Sequence, residues 1–135
     1  MNEMLITNWN QHVGPHDMLI HVGDFALGRR DEIPKIMARL NGVKFLVQGN
    51  HDREPSIMQN LGFRYVARSM TLILCGKKIF FNHYPPQDLI IPIGYDMMVH
   101  GHTHKTTLWT APRVFNLCVE ATDYKPVLLR NLTIP

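Results

Sequence analysis

Apolar positions along the chain follow two periods, helical early and alternating later, and the strand-like runs tend to end alike. Residues 2–12 carry helical spacing, with Met4, Leu5 and Trp9 on one face, Met1 and Val13 extending it, and Asn and Gln residues facing out. Gly14-Pro15-His16-Asp17 breaks this helix and turns the chain, with His16 and Asp17 as turn residues. A strand over 18–22 follows and delivers Asp24; His21 within it reads as structural. After a short loop from Phe25 to Arg30, a second helix runs to about Leu40, with Asp31 as N-cap and Glu32 and Pro34 in its first turn. Ile33, Ile36, Met37 and Leu40 line its buried face, and Asn41-Gly42 ends it in residues that tolerate a left-handed backbone. The strand–helix–strand unit 18–48 implies a right-handed parallel crossover.

The next stretch organises the rest. Leu46-Val47-Gln48-Gly49-Asn50-His51-Asp52 is an apolar run that ends in a glycine and then three polar side chains. A short helix follows Arg53-Glu54-Pro55 and closes at Gly62. From Tyr65 the pattern is β: strands near 64–68, 70–75 and 78–82, with Gly76-Lys77 as a hairpin turn. Tyr84-Pro85-Pro86-Gln87 makes a stiff loop, and closing strands are expected at Thr107–Trp109, Val114–Cys118 and Val127–Leu129.

Four of these runs deliver chemistry at their downstream ends. Residues 18–22 lead to Gly23-Asp24, and the central run leads to Gly49-Asn50-His51-Asp52. Residues 78–81 lead to Asn82-His83-Tyr84-Pro85, and 95–99 lead to His100-Gly101-His102-Thr103-His104. Open α/β sheets place ligands at the carboxyl ends of their strands. Asp, Asn and His form a nitrogen–oxygen donor set that suits Mn, Fe, Zn, Co or Ni, and the regularity points to a metal site.

In this order, Gly23-Asp24, Gly49-Asn50-His51-Asp52, the isolated His83 and Gly101-His102-Thr103-His104 resemble the calcineurin-like metallophosphoesterase superfamily, and most closely its small stand-alone bacterial and phage members. The resemblance covers the chain from about Gly23 to Tyr124. It implies an α/β fold, a sandwich of two β-sheets flanked by helices in a single domain over 1–135. It also implies hydrolysis of phosphodiesters or phosphomonoesters by metal-activated hydroxide. Family members hold two divalent ions bridged by one carboxylate. By motif, Asp24 is the bridge, Asn50, His83 and His102 complete one ion's ligands, and His104 serves the other. The family's opening Asp-x-His strand has no counterpart here, so the domain is expected to be N-terminally truncated, with one well-bound ion and a second, incomplete site. An open sheet edge is then expected, a route to homo-oligomers. His51 would lie over the scissile phosphate as the catalytic acid; Asp52 would orient its imidazole or cap the following turn. Arg53 reads as a surface arginine and His100 as a supporting residue.

Composition narrows the alternatives. A length of 135 residues suits one domain, and no apolar stretch reaches the length of a membrane span. The N-terminus lacks a secretory leader pattern, and Cys75 and Cys118, each in an apolar run, read as buried free thiols of a cytoplasmic protein. A formal charge of +3, with basic pairs at Arg29-Arg30 and Lys77-Lys78, gives little support to a nucleic-acid groove. A nuclease is therefore a lesser alternative, beside a weakly active or inactive metal-binding or interaction protein.

Overall fold

Neighbouring side chains of a strand point to opposite faces, so a strand apolar on both must lie between two layers. In the computed structural model, which describes residues 2–25 and 31–133, the run before Gly49 does this: Leu46 enters one core and Val47 another. Along the chain, α1 (Asn2–His12), β1 (Met18–His21), α2 (Ile33–Arg39), β2 (Val43–Val47), α3 (Pro55–Asn60) and β3 (Tyr65–Ala67) form the first half. The second half comprises β4 (Ser69–Leu74), β5 (Lys77–Asn82), β6 (Met97–His100), β7 (Trp109–Ala111), β8 (Val114–Asn116) and a short α4 (Arg130–Thr133). Strands β1-β2-β3 make a parallel sheet, and a five-stranded mixed sheet runs β4-β5-β6-β8-β7. The expected fold, two sheets flanked by helices, is the one observed.

The first core joins Ile6 of α1, Met37 of α2 and Met58 of α3 to Leu46 and Val66 of the parallel sheet. The second joins Val22 and Val47 to Ile79, Phe81, Val99 and Phe115, and so lies between the sheets. The order is helices, sheet, sheet. β1 is an edge strand, paired to β2 alone among the described residues. No helix of the described residues is long and apolar enough to cross a membrane.

Several expected details differ. The buried face of α1 is Ile6, Trp9 and Val13, and Met4 is exposed, because the i, i+3, i+7 row wins over the one through Met4. Helix α2 starts at Ile33 with Glu32 as its cap residue and no side-chain cap bond. The β4–β5 hairpin turns at Cys75-Gly76, both at positive φ (52° and 75°), since Leu74 pairs with Lys77. Cys75 is thereby exposed, and only Cys118 is the buried thiol expected. Residues 127–129 are not a strand. Met1, Arg29-Arg30 and nearly all of the 25–30 loop lie outside the described residues.

The C-terminus of α2 is capped by side chains from both neighbouring elements. A helix end leaves its last carbonyls without partners. Here Asn10 Nδ2 donates to Arg39 O (2.8 Å), Trp9 Nε1 to Asn41 O (2.9 Å), and Lys44 Nζ to both Leu40 O (2.8 Å) and Gly42 O (3.0 Å). Lys44 is buried, and desolvation holds its ammonium pKa below the usual lysine range. Lys44→Met should lower stability in urea unfolding by about 1–3 kcal/mol, the usual cost of leaving a buried carbonyl unpaired. An unchanged midpoint would mean that Lys44 is not what satisfies this helix end.

Candidate metal centre

Gly23 and Gly49 let two loops touch where larger residues would hold them apart. Gly23 has φ of 104°, and a Cβ on it would collide with the His83 ring and with Gly49. A Cβ on Gly49 would collide with the Asp24 carboxylate. The loops are then tied by Asp52, whose carboxylate accepts N–H bonds from Asp24 (2.7 Å), Phe25 (2.8 Å) and Gly49 (2.8 Å). Asp52 was expected to orient the His51 ring or to cap a turn; its oxygens serve backbone N–H groups. His51 is exposed, and its backbone N–H donates to Asp24 Oδ1 at 2.8 Å.

Four of the five expected ligands converge. His83 is buried, with Nδ1 2.8 Å from the Val22 carbonyl; Nδ1 must donate there, which turns the Nε2 lone pair toward the other motifs. Nε2 lies 2.9 Å from Asn50 Oδ1, 3.1 Å from His102 Nδ1 and 3.3 Å from Asp24 Oδ2, and His102 Nδ1 is 3.2 Å from Asn50 Oδ1. Ligand atoms set tetrahedrally about 2.0–2.1 Å from a divalent ion would be roughly 3.3–3.4 Å apart. The spacing fits a cation within a small closure or opening of the cluster. Asp24 and Asn50 come from the parallel sheet, and His83 and His102 from the mixed one.

His104 goes elsewhere. On an extended segment residues 102 and 104 would share one side, but β6 ends at His100 and both have left-handed backbones (φ 70° and 53°). Asp24 is left-handed as well, at φ 55°. Non-glycine residues held in this region carry strain that clusters at functional sites. His104 Nδ1 instead meets Glu120 Oε1 at 3.1 Å, with Cys118 close by. His100 is buried, donating Nδ1–H to Gly101 O (2.8 Å) and meeting the Thr110 hydroxyl at Nε2 (2.7 Å); burial pushes its pKa down. That is the supporting role expected of it. His21 likewise meets the Gly23 N–H and stacks on Trp9, and burial lowers its pKa too.

A cavity of about 410 Å³ opens beside this cluster, lined by Gln48, Asn50, Asp52, Arg68, Asn82 and Tyr84. Arg68 has no ion-pair partner among the described residues. Sequence reasoning did not pick out Arg68 or Glu120, and it reads Cys118 only as a buried free thiol. Arg68 sits in the one-residue link between β3 and β4, where only the fold shows its neighbours. Glu120 follows β8, and the strand-end rule used for the other motifs would have found it.

Comparison with known proteins gives consistent results. Residues 2–119 match the family model described as the calcineurin-like phosphoesterase superfamily domain. An uncharacterised protein of Methanocaldococcus jannaschii is 30% identical over 138 residues, covering 96% of this chain and 71% of the relative. A crystal structure of a protein of unknown function from Aquifex aeolicus has a TM-score of 0.79 at 27% identity, over 98% of this chain and 83% of that one. The phosphoesterase Yfce from E. coli has a TM-score of 0.60 at 25% identity, over 87% and 70% of the two chains.

The Asp52 tie gives a direct test. Asp52→Ala leaves three backbone N–H groups without their acceptor and should cost at least about 2 kcal/mol in chemical unfolding. His51→Ala, at an exposed ring, should stay within about 0.5 kcal/mol of the parent. Equal losses in the two variants would overturn the distinction.

Proposed function

The chain belongs to the calcineurin-like phosphoesterase superfamily, and from that premise we propose that it is a metal-dependent hydrolase of phosphoesters. The family is metal-dependent, and the observation that carries the reading is the convergence of Asp24, Asn50, His83 and His102 beside a polar cavity. These four would hold one divalent ion, drawn from Mn, Fe, Zn, Ni or Co; His104 serves a second position. When bound, such ions supply Lewis-acid charge to a phosphoryl oxygen and acidify water. The chain's own residues do the rest. Asn50 contributes a neutral oxygen, so the negative charge of Asp24 is not duplicated at the ion. His83 is fixed by its Nδ1–H bond to Val22 and keeps its other nitrogen aimed at the site.

His51 follows Asn50 directly and its ring has no hydrogen-bond partner among the described residues, and we assign it the proton for the leaving oxygen. General acid catalysis of this kind contributes roughly 100- to 10,000-fold in rate. Arg68 faces the cavity and suits a phosphate or a neighbouring anionic group of the substrate, since guanidinium binds such oxygens in a fork. A compact phosphomonoester or phosphodiester fits this opening better than a nucleic-acid groove does.

Hydrolysis of a generic aryl phosphodiester and of an aryl phosphomonoester with added Mn²⁺ tests the reading. His83→Ala should lose metal and activity together. His51→Ala should keep the metal count and lose at least about 100-fold in kcat. Loss of metal from His51→Ala would show that the acid and a ligand have been exchanged in this assignment. Arg68→Ala should raise KM by about tenfold with little change in kcat, equivalent to about 1.4 kcal/mol of binding. An unaltered KM would remove Arg68 from the substrate site.

A further inference from the structure

Tyr84 stands between the candidate metal cluster and the cavity beside it. It follows buried His83 directly, and its ring centroid lies 5.0 Å from that of His83, edge to face, and 4.8 Å from that of His102, tilted. The same residue lines the cavity of about 410 Å³ and is 48% exposed. An aromatic ring left open to water keeps apolar area hydrated, and a flat group stacked on it would remove that cost. The backbone beneath the ring is fixed. The Tyr84 N–H donates to Asn82 Oδ1 at 3.0 Å, and Pro85 and Pro86 follow with their φ angles locked.

The walls beside this ring carry amides of set polarity. A carboxamide offers an acceptor oxygen and a donor nitrogen, so engaging one of them leaves the other for a ligand. Asn82 Oδ1 is engaged by the Tyr84 N–H, and Asn82 Nδ2 is left as a donor with no partner among the described residues. Gln48 Nε2 donates to Arg53 O at 3.1 Å, and Gln48 Oε1 is left as an acceptor on the same terms. Both residues line the cavity together with Tyr84 and Arg68. An aromatic platform, a donor and an acceptor are together what a nitrogen heterocycle calls for, because a base has a flat π-face and an edge of mixed donors and acceptors. A sugar lacks the flat face, and a plain aryl ring lacks the edge.

We propose that this cavity is a subsite for the base of a small nucleoside phosphoester, with Tyr84 as the stacking platform and Asn82 and Gln48 bonding the base edge. This rests on the phosphoesterase reading above and narrows its substrate class. The contact of Tyr84 with His83 and His102 sets the platform directly beside the groups that receive the phosphoryl end. The cavity volume suits one nucleotide and not a strand.

Adenosine 5′-monophosphate and ribose 5-phosphate, which lacks the base, test the subsite. Each competes against aryl phosphodiester hydrolysis by the Mn²⁺-loaded full chain, and calorimetric titration gives the same affinity ratio without turnover. The wild type should favour the nucleotide by at least about tenfold, within what stacking one base on an aromatic ring contributes. Tyr84→Leu should bring the two affinities within about twofold of each other by weakening the nucleotide alone, and Tyr84→Phe should keep the preference. Asn82→Asp retains an oxygen for the Tyr84 N–H but replaces the donor with an acceptor, and should lower the ratio about fivefold. Circular dichroism and metal analysis establish that each variant is folded and loaded; if Tyr84→Leu is not, Asn82→Asp decides, and an unchanged ratio there overturns the proposal. A wild-type ratio near one also overturns it, as does a folded, loaded Tyr84→Leu that keeps the preference, and in each case continued hydrolysis of the aryl ester leaves the phosphoesterase reading intact. Absence of hydrolysis with the base preference retained sinks that reading and leaves the subsite standing. Binding of neither compound overturns the subsite.

Discussion

The Asp52 carboxylate gathers the N–H groups of Asp24, Phe25 and Gly49 onto two oxygens, and the arrangement of the site depends on that gathering. Without it the Gly23-Asp24 and Gly49-Asn50 loops would be two independent strand exits. With it, the Asp24 side chain is presented from a left-handed backbone whose N–H is held on the Asp52 carboxylate. Charge-assisted bonds to backbone N–H groups are among the stronger ones a carboxylate makes, so they can offset a strained residue next door. The two motif glycines belong to the same constraint, because any Cβ at either would separate the loops that Asp52 draws together.

The histidines divide by burial, and the division separates rings held in place from rings open to solvent. His83 and His100 are enclosed, with Nδ1 of each held on a backbone carbonyl. Those rings cannot reorient without breaking a buried bond. His51 and His104 are exposed, the latter with Nδ1 3.1 Å from Glu120 Oε1.

Much of this was legible in the sequence where local chemistry repeats. Glycine or a polar break after each apolar run marked Asp24, Asn50, His83 and His102, and strands that end alike in one sheet end side by side. The parallel crossover around α2 followed from period and spacing, and the two-sheet sandwich from the family resemblance. What was not legible depended on backbone hand and on distant partners. His102 and His104 look like one face of a strand until both turn left-handed. Asp52 looks like a partner for the adjacent His51 until the loop from β1 arrives with two N–H groups to satisfy. The α1 face carries Ile6 in place of the expected Met4, two positions away, because both are apolar and packing against Met37 and Leu46 chooses between them.

One feature of the topology reaches beyond catalysis. Asp24 and Asn50 ride on the parallel sheet, His83 and His102 on the mixed sheet, and the Val22 carbonyl joins them through the His83 ring. This end of the sandwich is thus stitched by polar groups, whereas the cluster of Val22, Val47, Ile79, Phe81, Val99 and Phe115 between the sheets packs by apolar contact. Apolar layers resist separation but permit sliding, because their attraction has little direction. The polar stitch has direction. It fixes the lateral registry of the two sheets, so the end of the sandwich that carries the candidate metal cluster is also the end that keeps its two layers aligned.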